Sequence, residues 1–264
     1  MMQSQADNNQ NELKKKAAGQ LTDFMQDCGI SQRQGKRLLE IGFKNGLFLD
    51  ECRKAGLDAV GLEINPVYVS NVQAAFPSLD VRLYDGGRFP FNDASFDFIV
   101  SFQVLEHVDS VSQIIEESLR LLKPGGIMCH ICPNYRSFYE GHFNVVWLPF
   151  LNKSLGRIYL KMLGKYKPVY ENINLVKPKG ITSVLKRHEK ELELISLGKK
   201  EFKAKFNSEQ INKVNNKFLR CMLMLLHKYS IIRNTFLLLT CWSGFYYPIT
   251  IICKKTSKEC KALI

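Results

Sequence analysis

The sequence predicts an α/β fold, a mostly parallel sheet with helices on both faces. Three observations carry that prediction. Short apolar runs alternate with runs of helical period from residue 38 to residue 132. Glycine or proline punctuates the boundaries, as at Gly42–Gly46, Pro66, Gly86-Gly87 and Pro124-Gly125-Gly126. The chain has 264 residues, 45% of them hydrophobic, which is enough for one substantial α/β core.

Taken in order, residues 1–12 read as a disordered polar tail and residues 13–30 as a helix leading in. Leu38–Ile41 is too short and apolar for a helix and is the first strand. A glycine turn, Gly42–Gly46, feeds the first helix, on which Leu47, Phe48 and Cys52 recur at helical spacing up to Ala55. Such a turn lets a ligand approach the backbone and meet unpaired N–H groups. Ala59–Ile64 is the second strand, and Asn65-Pro66 starts the next helix, Val67–Phe76. Glu63 lies about one strand-helix-strand step beyond Gly42, the place for a carboxylate that accepts both hydroxyls of a ribose.

Val81 and Leu83 alternate as a third strand, and Asp85 follows at the sheet edge where open α/β folds bind ligands. Phe96–Ser101 is the fourth strand. Ser110–Leu122 is an amphipathic helix with Val111, Ile114, Ile115, Leu119 and Leu122 on one stripe. Lys123–Gly126 stops it, and Ile127–Cys132 is the fifth strand.

Charge divides the chain. Residues 1–150 carry 14 Lys+Arg against 18 Asp+Glu, a net of −4, and residues 151–264 carry 23 against 7, a net of +16. A basic second half fits an acidic partner, whether phosphorylated substrate, anionic membrane or nucleic acid, or a lysine-solubilised helical region. The eight cysteines are scattered apart from one CxxC, Cys129-His130-Ile131-Cys132, inside an apolar run, so neither a disulfide framework nor a zinc site is expected. Cys129, Cys132 and Cys253 lie in apolar runs as buried thiols. The polar first residues carry no apolar signal segment, from which a cytoplasmic protein is expected.

Residues 37–134 resemble a class I S-adenosylmethionine-dependent methyltransferase. The motifs LEIGFKNG, VGLEIN, LYDGGRFPF, FDFIVSFQVLEHV and LRLLKPGG occur in the family's order and spacing. Among branches of the family the likeness is to the one containing quinone, polyketide, glycan and lipid methyltransferases. The resemblance implies a Rossmann-like, seven-stranded, mostly parallel sheet with S-adenosylmethionine as cofactor. It places Glu40, Gly42 and Gly46 around the methionine part, Glu63 on the ribose with Ile64 beside it, and Asp85 with Gly86 on the adenine amino group. Gln103 lines the sulfonium pocket. Two residues depart from the pattern. Lys44 stands at the middle of the family's GxGxG, where it narrows the pocket or swings outward. Gln103 replaces a carboxylate that quinone O-methyltransferases use, with a Glu-His pair, to hold a divalent metal. No metal is therefore expected at Glu106-His107.

Five histidines are available for removing a proton from a hydroxyl acceptor. His107 follows the fourth strand and reads as packing at a helix start, and His130 inside a strand reads as structural. His142 follows the fifth strand among Tyr135, Phe138, Tyr139, Phe143 and Trp147, aromatics that suit a pocket for a ring or a lipid-linked sugar or else a lid packed on the core. His142 is the candidate catalytic base.

The family's sheet needs two further strands, supplied by Glu191–Gly198 and Phe245–Lys255 as an antiparallel hairpin. Residues 1–30 are then a tail and lead-in helix, and 31–264 one domain with cap-like insertions at about 135–180 and 199–240. Phe218–Trp242 is apolar over about a membrane span, but His227-Lys228 and Arg233-Asn234 interrupt it, so it reads as a helical cap or an interfacial segment on anionic membrane rather than a transmembrane helix. The expected activity is methyl transfer to a small-molecule, glycan or lipid-linked acceptor at oxygen, at the inner face of the membrane if the segment is interfacial. Two alternatives remain. A nucleic-acid methyltransferase would suit the basic half, although SFQVLEHV stands where base N-methyltransferases carry Asn/Asp-Pro-Pro-aromatic. An inactive scaffolding protein that keeps the fold would suit Lys44.

Overall fold

The structure, a computed structural model, describes residues 2–206, 211 and 217–256. Met1, residues 207–210 and 212–216 of the second expected insertion, and the tail from 257 lie outside the described residues. The first half alternates as the sequence predicts. Helix α1 (Met2–Asp27) precedes strand β1 (Arg37–Ile41), α2 (Leu47–Lys54), β2 (Asp58–Glu63), α3 (Pro66–Ala75) and β3 (Asp80–Leu83). Strand β4 (Phe96–Phe102), α4 (Val111–Leu121) and β5 (Leu122–Cys132) follow. The second half holds a small hairpin of β6 (Tyr139–Glu140) and β7 (Val145–Val146), then α5 (Lys153–Met162), a 3-10 turn at Pro168–Asn172, α6 (Pro178–Arg187) and β8 (Leu192–Ser196). It ends with α7 (Lys199–Phe206), α8 (Lys217–Lys228), α9 (Ser230–Ser243) and β9 (Ile249–Lys255).

Seven strands make one sheet in the order β3-β2-β1-β4-β5-β9-β8. The five from β1 to β5 run parallel, while β9 pairs antiparallel with both β5 and β8. Successive side chains alternate between two cores. Leu38, Phe98, Val100, Cys129 and Ile252 pack with α1, α2 and α3, whereas Leu39, Ile41, Ile99, Met128 and Ile251 pack with α4 and α6. Both faces are buried, which is why these strands read as continuous apolar runs.

Local chemistry sets the boundaries. Asn65 caps α3, its side chain accepting from the Val67 N–H, with Pro66 at the first helical position. Ser110 caps α4 by accepting from the Gln113 N–H. At the other end of α4, Lys255 of β9 donates to the carbonyls of Leu119 and Leu122, each at 2.8 Å. The Lys123–Gly126 segment does not separate helix from strand as expected. It is a bulge inside β5, where the register jumps from Phe96↔Leu122 to Phe98↔Ile127.

Three further expectations are corrected. Residues 2–12 are not a disordered tail but the first turns of α1, an extension of the helix that Ala17, Leu21 and Phe24 anchor, although Ser4, Asp7 and three asparagines lend it little propensity. The stretch Phe218–Trp242 is two helices that break at Tyr229, not one cap helix. The aromatic loop after β5 is mostly not pocket wall: Tyr135, Phe143 and Trp147 are buried in a third core with Leu151, Leu160, Tyr170 and Ile173. Gly156 lets α5 close on that core, where any Cβ would lie 2.7 Å from Trp147 and strike the Tyr170 hydroxyl. Cys129, Cys132 and Cys253 are buried free thiols, as expected. Among the described residues no helix is long and apolar enough to cross a membrane.

Candidate active site

The C-terminal ends of β1, β2, β3 and β4 meet along one edge, and the sequence-predicted residues gather there. The chain leaves β1 through backbone that only glycine adopts without strain: φ is 76° at Gly42 and 70° at Gly46. Close packing adds to the requirement, because a Cβ on Gly42 would lie 2.5 Å from Val104 and one on Gly46 would lie 2.7 Å from Val72. Lys44 also takes positive φ, at 49°. Its side chain is exposed, and its charge reaches His107 and His142.

Glu63, at the end of β2, ties this turn down. One carboxylate oxygen accepts from the Ile64 and Asn65 N–H groups at 2.9 and 3.1 Å, and the other from the Lys44 N–H at 3.3 Å. That second oxygen keeps a lone pair for a ribose hydroxyl. Glu40 is buried at the end of β1, and among the described residues its Oε2 has no hydrogen-bond partner. Burial, reinforced by Glu63, raises its pKa well above the ordinary carboxylate value.

Ile64 and Asp85 sit together in a groove of about 590 Å³, with Leu83, Tyr84, Arg88 and Pro90. Asp85 accepts from the Gly87 N–H in a tight turn. Gln113 of α4 fixes the same turn by donating to the carbonyls of Gly86 and Gly87, each at 3.1 Å. The sequence reading had no role for Gln113, and nothing local to it signals one. An apolar shelf at Ile64, an acceptor at Asp85, an orphaned buried oxygen at Glu40 and a close-approach turn fit an adenosyl ligand with an amino-acid tail.

Gln103, just past β4, holds φ of 59° and lies beside Tyr247, which stacks edge-on against Tyr139. Beyond it the edge is walled by the segment after β5. That segment is pinned at long range: Asn134 donates to the carbonyls of Gly244 and Tyr246, and Arg136 to that of Ser243. The β6–β7 hairpin then carries His142 on its turn. The His142 Nδ1 lies 2.8 Å from Glu140 Oε1, and Glu140 also accepts from Tyr135 Oη at 3.0 Å and from the Phe143 N–H at 2.7 Å. Glu140 is 0% exposed. Burial opposes its ionisation, but the bonds from His142, Phe143 and Tyr135 prevail and hold it below the ordinary carboxylate value. An ionised Glu140 only accepts, so in the neutral imidazole Nδ1 of His142 carries the proton and Nε2 the lone pair.

Nε2 of His142 lies 3.6 Å from Glu106, a residue of 0% exposure whose two carboxylate oxygens have no hydrogen-bond partner among the described residues. Burial pushes the Glu106 pKa up to about 7. The Glu140 bond raises the His142 pKa. Burial, then His142 and Lys44, lower that of His107. His107 is thus part of this cluster rather than only a helix-start residue. Glu140 and Glu106 are the partners that sequence reasoning missed. Glu140 has a faint signal, standing two residues before His142, whereas Glu106 was read only as a metal ligand lacking its mate. Glu106, His107 and His142 together offer three donor atoms within 4.8 Å of one another, a carboxylate-imidazole set of the kind that takes a divalent transition ion. His130 is structural, buried with Ser101 Oγ at 2.8 Å and Ser118 Oγ at 3.2 Å on its two nitrogens.

Comparison with known proteins agrees with this geometry. The family described as a methyltransferase domain matches residues 13–188. A protein of Mycolicibacterium smegmatis named as a probable S-adenosylmethionine-dependent methyltransferase is 34% identical over 107 residues, covering 40% of this chain and 42% of that protein. A ubiquinone biosynthesis O-methyltransferase of Chelativorans sp. is 30% identical over 99 residues, covering 36% of this chain and 39% of that one. The matches thus span about two fifths of the length of these relatives. In fold, the chain is similar to Haemonchus contortus phosphoethanolamine N-methyltransferase 2 solved with S-adenosylmethionine, with a TM-score of 0.56 at 16% identity over 90% of this chain and 52% of that one. The chain belongs to the methyltransferase-domain family.

Proposed function

We propose that this enzyme methylates a hydroxyl oxygen of a small molecule, with His142 as the general base. The observation that carries the reading is the Glu140–His142 pair, which in the neutral imidazole leaves the lone pair on Nε2, 3.6 Å from Glu106. Glu40, Gly42, Gly46, Glu63, Ile64, Asp85, Gly86 and Gln103 hold S-adenosylmethionine in this reading. The cofactor supplies an activated methyl group, so the chain must align the acceptor, exclude water and take one proton. An alcohol or phenol loses its proton as the carbon–oxygen bond forms. His142 accepts that proton at Nε2, and Glu140 and Glu106 stabilise the imidazolium that results. The O-methyltransferase among the relatives supports oxygen as the acceptor atom.

The test is S-adenosylhomocysteine formation across matched panels of phenols, alcohols and amines. Turnover confined to hydroxyl acceptors is expected, and turnover confined to amines would overturn the assignment. A chelator separates base from metal ligand. Full activity in excess chelator is expected, whereas loss restored by a divalent ion would reassign Glu106, His107 and His142 as ligands.

A further inference from the structure

We propose that the α8–α9 hairpin docks this enzyme on an anionic membrane surface. The two helices present one apolar stripe each, and both stripes face outward. On α9 the stripe is Ile231, Leu238 and Trp242, spaced seven and four residues apart and so on one side of the helix. Ile231 is 81% exposed and Trp242 84%. On α8 it is Phe218, Met222 and Leu225, all exposed. The opposite faces are already occupied: Phe236 of α9 and His227 of α8 pack on Phe206 of α7, with Leu237 and Cys241 buried. Among the described residues the helix pair therefore has a satisfied inner side and an unpartnered apolar outer side.

Charge selects the occupant. Residues 217–243 contain four Lys+Arg and no Asp or Glu, and Lys217 and Lys228 stand exposed at the two ends of α8. Lys199, Lys200 and Lys203 on α7 are exposed as well. Apolar stripes with lysines at their ends and a tryptophan at the margin match the acyl boundary and the phosphates of an anionic bilayer in one contact. A second copy of the chain would bring two such cationic faces together, so like charges disfavour it. Neither helix is long enough to span a bilayer, so the hairpin lies in the surface. This docking does not depend on His142 or on the acceptor atom.

Vesicle co-sedimentation of the full chain tests it, using phosphatidylcholine alone and a roughly 3:1 mixture with phosphatidylglycerol. Binding to the anionic vesicles is expected to exceed binding to neutral ones at least tenfold and to fall steeply with salt, because each basic residue at the surface contributes about fivefold. The chain has two tryptophans, and Trp147 is already buried, so a blue shift of emission on binding reports Trp242. Trp242→Phe should bind but lose the shift. The double variant Ile231→Ser with Leu238→Ser should lose at least tenfold in binding while its melting temperature and cofactor affinity stay unchanged. Equal binding to neutral and anionic vesicles, no binding to either, or full binding by the double variant would overturn the proposal. So would a concentration-dependent dimer that the double variant dissolves, which would assign the face to a second copy.

Discussion

The two walls of the candidate site are built differently. The cofactor wall is backbone: a left-handed turn at Gly42 and Gly46, Glu63 accepting from three N–H groups, and an Asp85 turn fixed by Gln113. The acceptor wall is side chains on a hairpin with a core of its own, where Trp147 and Tyr135 support a buried Glu140 that orients His142. The first wall belongs to the sheet and the second rests on it. Damage to the second should therefore spare cofactor binding, and damage to the first should not.

Trp147→Ala is the largest lever on that contrast. Emptying this buried site should cost about 3–5 kcal/mol of stability, mostly within the third core. Calorimetry should show a lowered melting temperature, and turnover should collapse while titration calorimetry still detects S-adenosylmethionine binding. Loss of that binding would mean that the two walls are one cooperative unit. Glu63→Ala acts on the other wall. Removing a charged partner of buried N–H groups should weaken cofactor affinity by about 1.5–3 kcal/mol, roughly tenfold to a hundredfold. The pH response of the acceptor wall should follow.

That wall differs from the first in how much of it could be read in the chain. The cofactor wall was legible because strand, glycine turn, helix and acidic strand end follow one another within a few dozen residues, so Ile64 and Asp85 were placed in what proves to be one groove. The acceptor wall was legible only at His142. Its orienter Glu140 depends on a hairpin of two-residue strands that no periodicity announces, and Tyr247 reaches Gln103 from the far end of the chain. Aromatic content misled for the same reason: Trp147 and Phe143 have pocket chemistry but are turned inward, and burial is a property of the packing. The second half of the sheet was legible as strands, but the break at Tyr229 was not, since no proline or glycine marks it.

The pH response separates the walls in a subtler way. The Glu140 bond raises the His142 pKa above its ordinary 6.5, and the proposed base is the neutral imidazole. Activity should therefore climb as pH rises through a value above 6.5, a limb shared with Glu106 as a coupled pair. The bond's contribution to stability has the opposite sense: it is full below 6.5 and lost as pH rises through the raised value. Glu140→Gln should move the activity limb to lower pH without changing cofactor affinity, and an unmoved limb would detach Glu140 from the base. Lys44→Ala should have the smallest effect. Lys44 disfavours protonation of both His107 and His142, so its removal should shift the limb slightly upward, and because solvent screens its exposed ammonium, cofactor affinity should stay within about twofold, under ~0.5 kcal/mol.

The most direct measurement pairs turnover with cofactor affinity in His142→Ala, using the hydroxyl acceptor that the unaltered enzyme methylates best. Loss of a general base predicts kcat lower by about 10²–10⁴ with an unchanged dissociation constant for S-adenosylmethionine. An unchanged kcat, or a loss of turnover matched by a loss of cofactor binding, would contradict the division of the site into two walls and the role of His142 in the second.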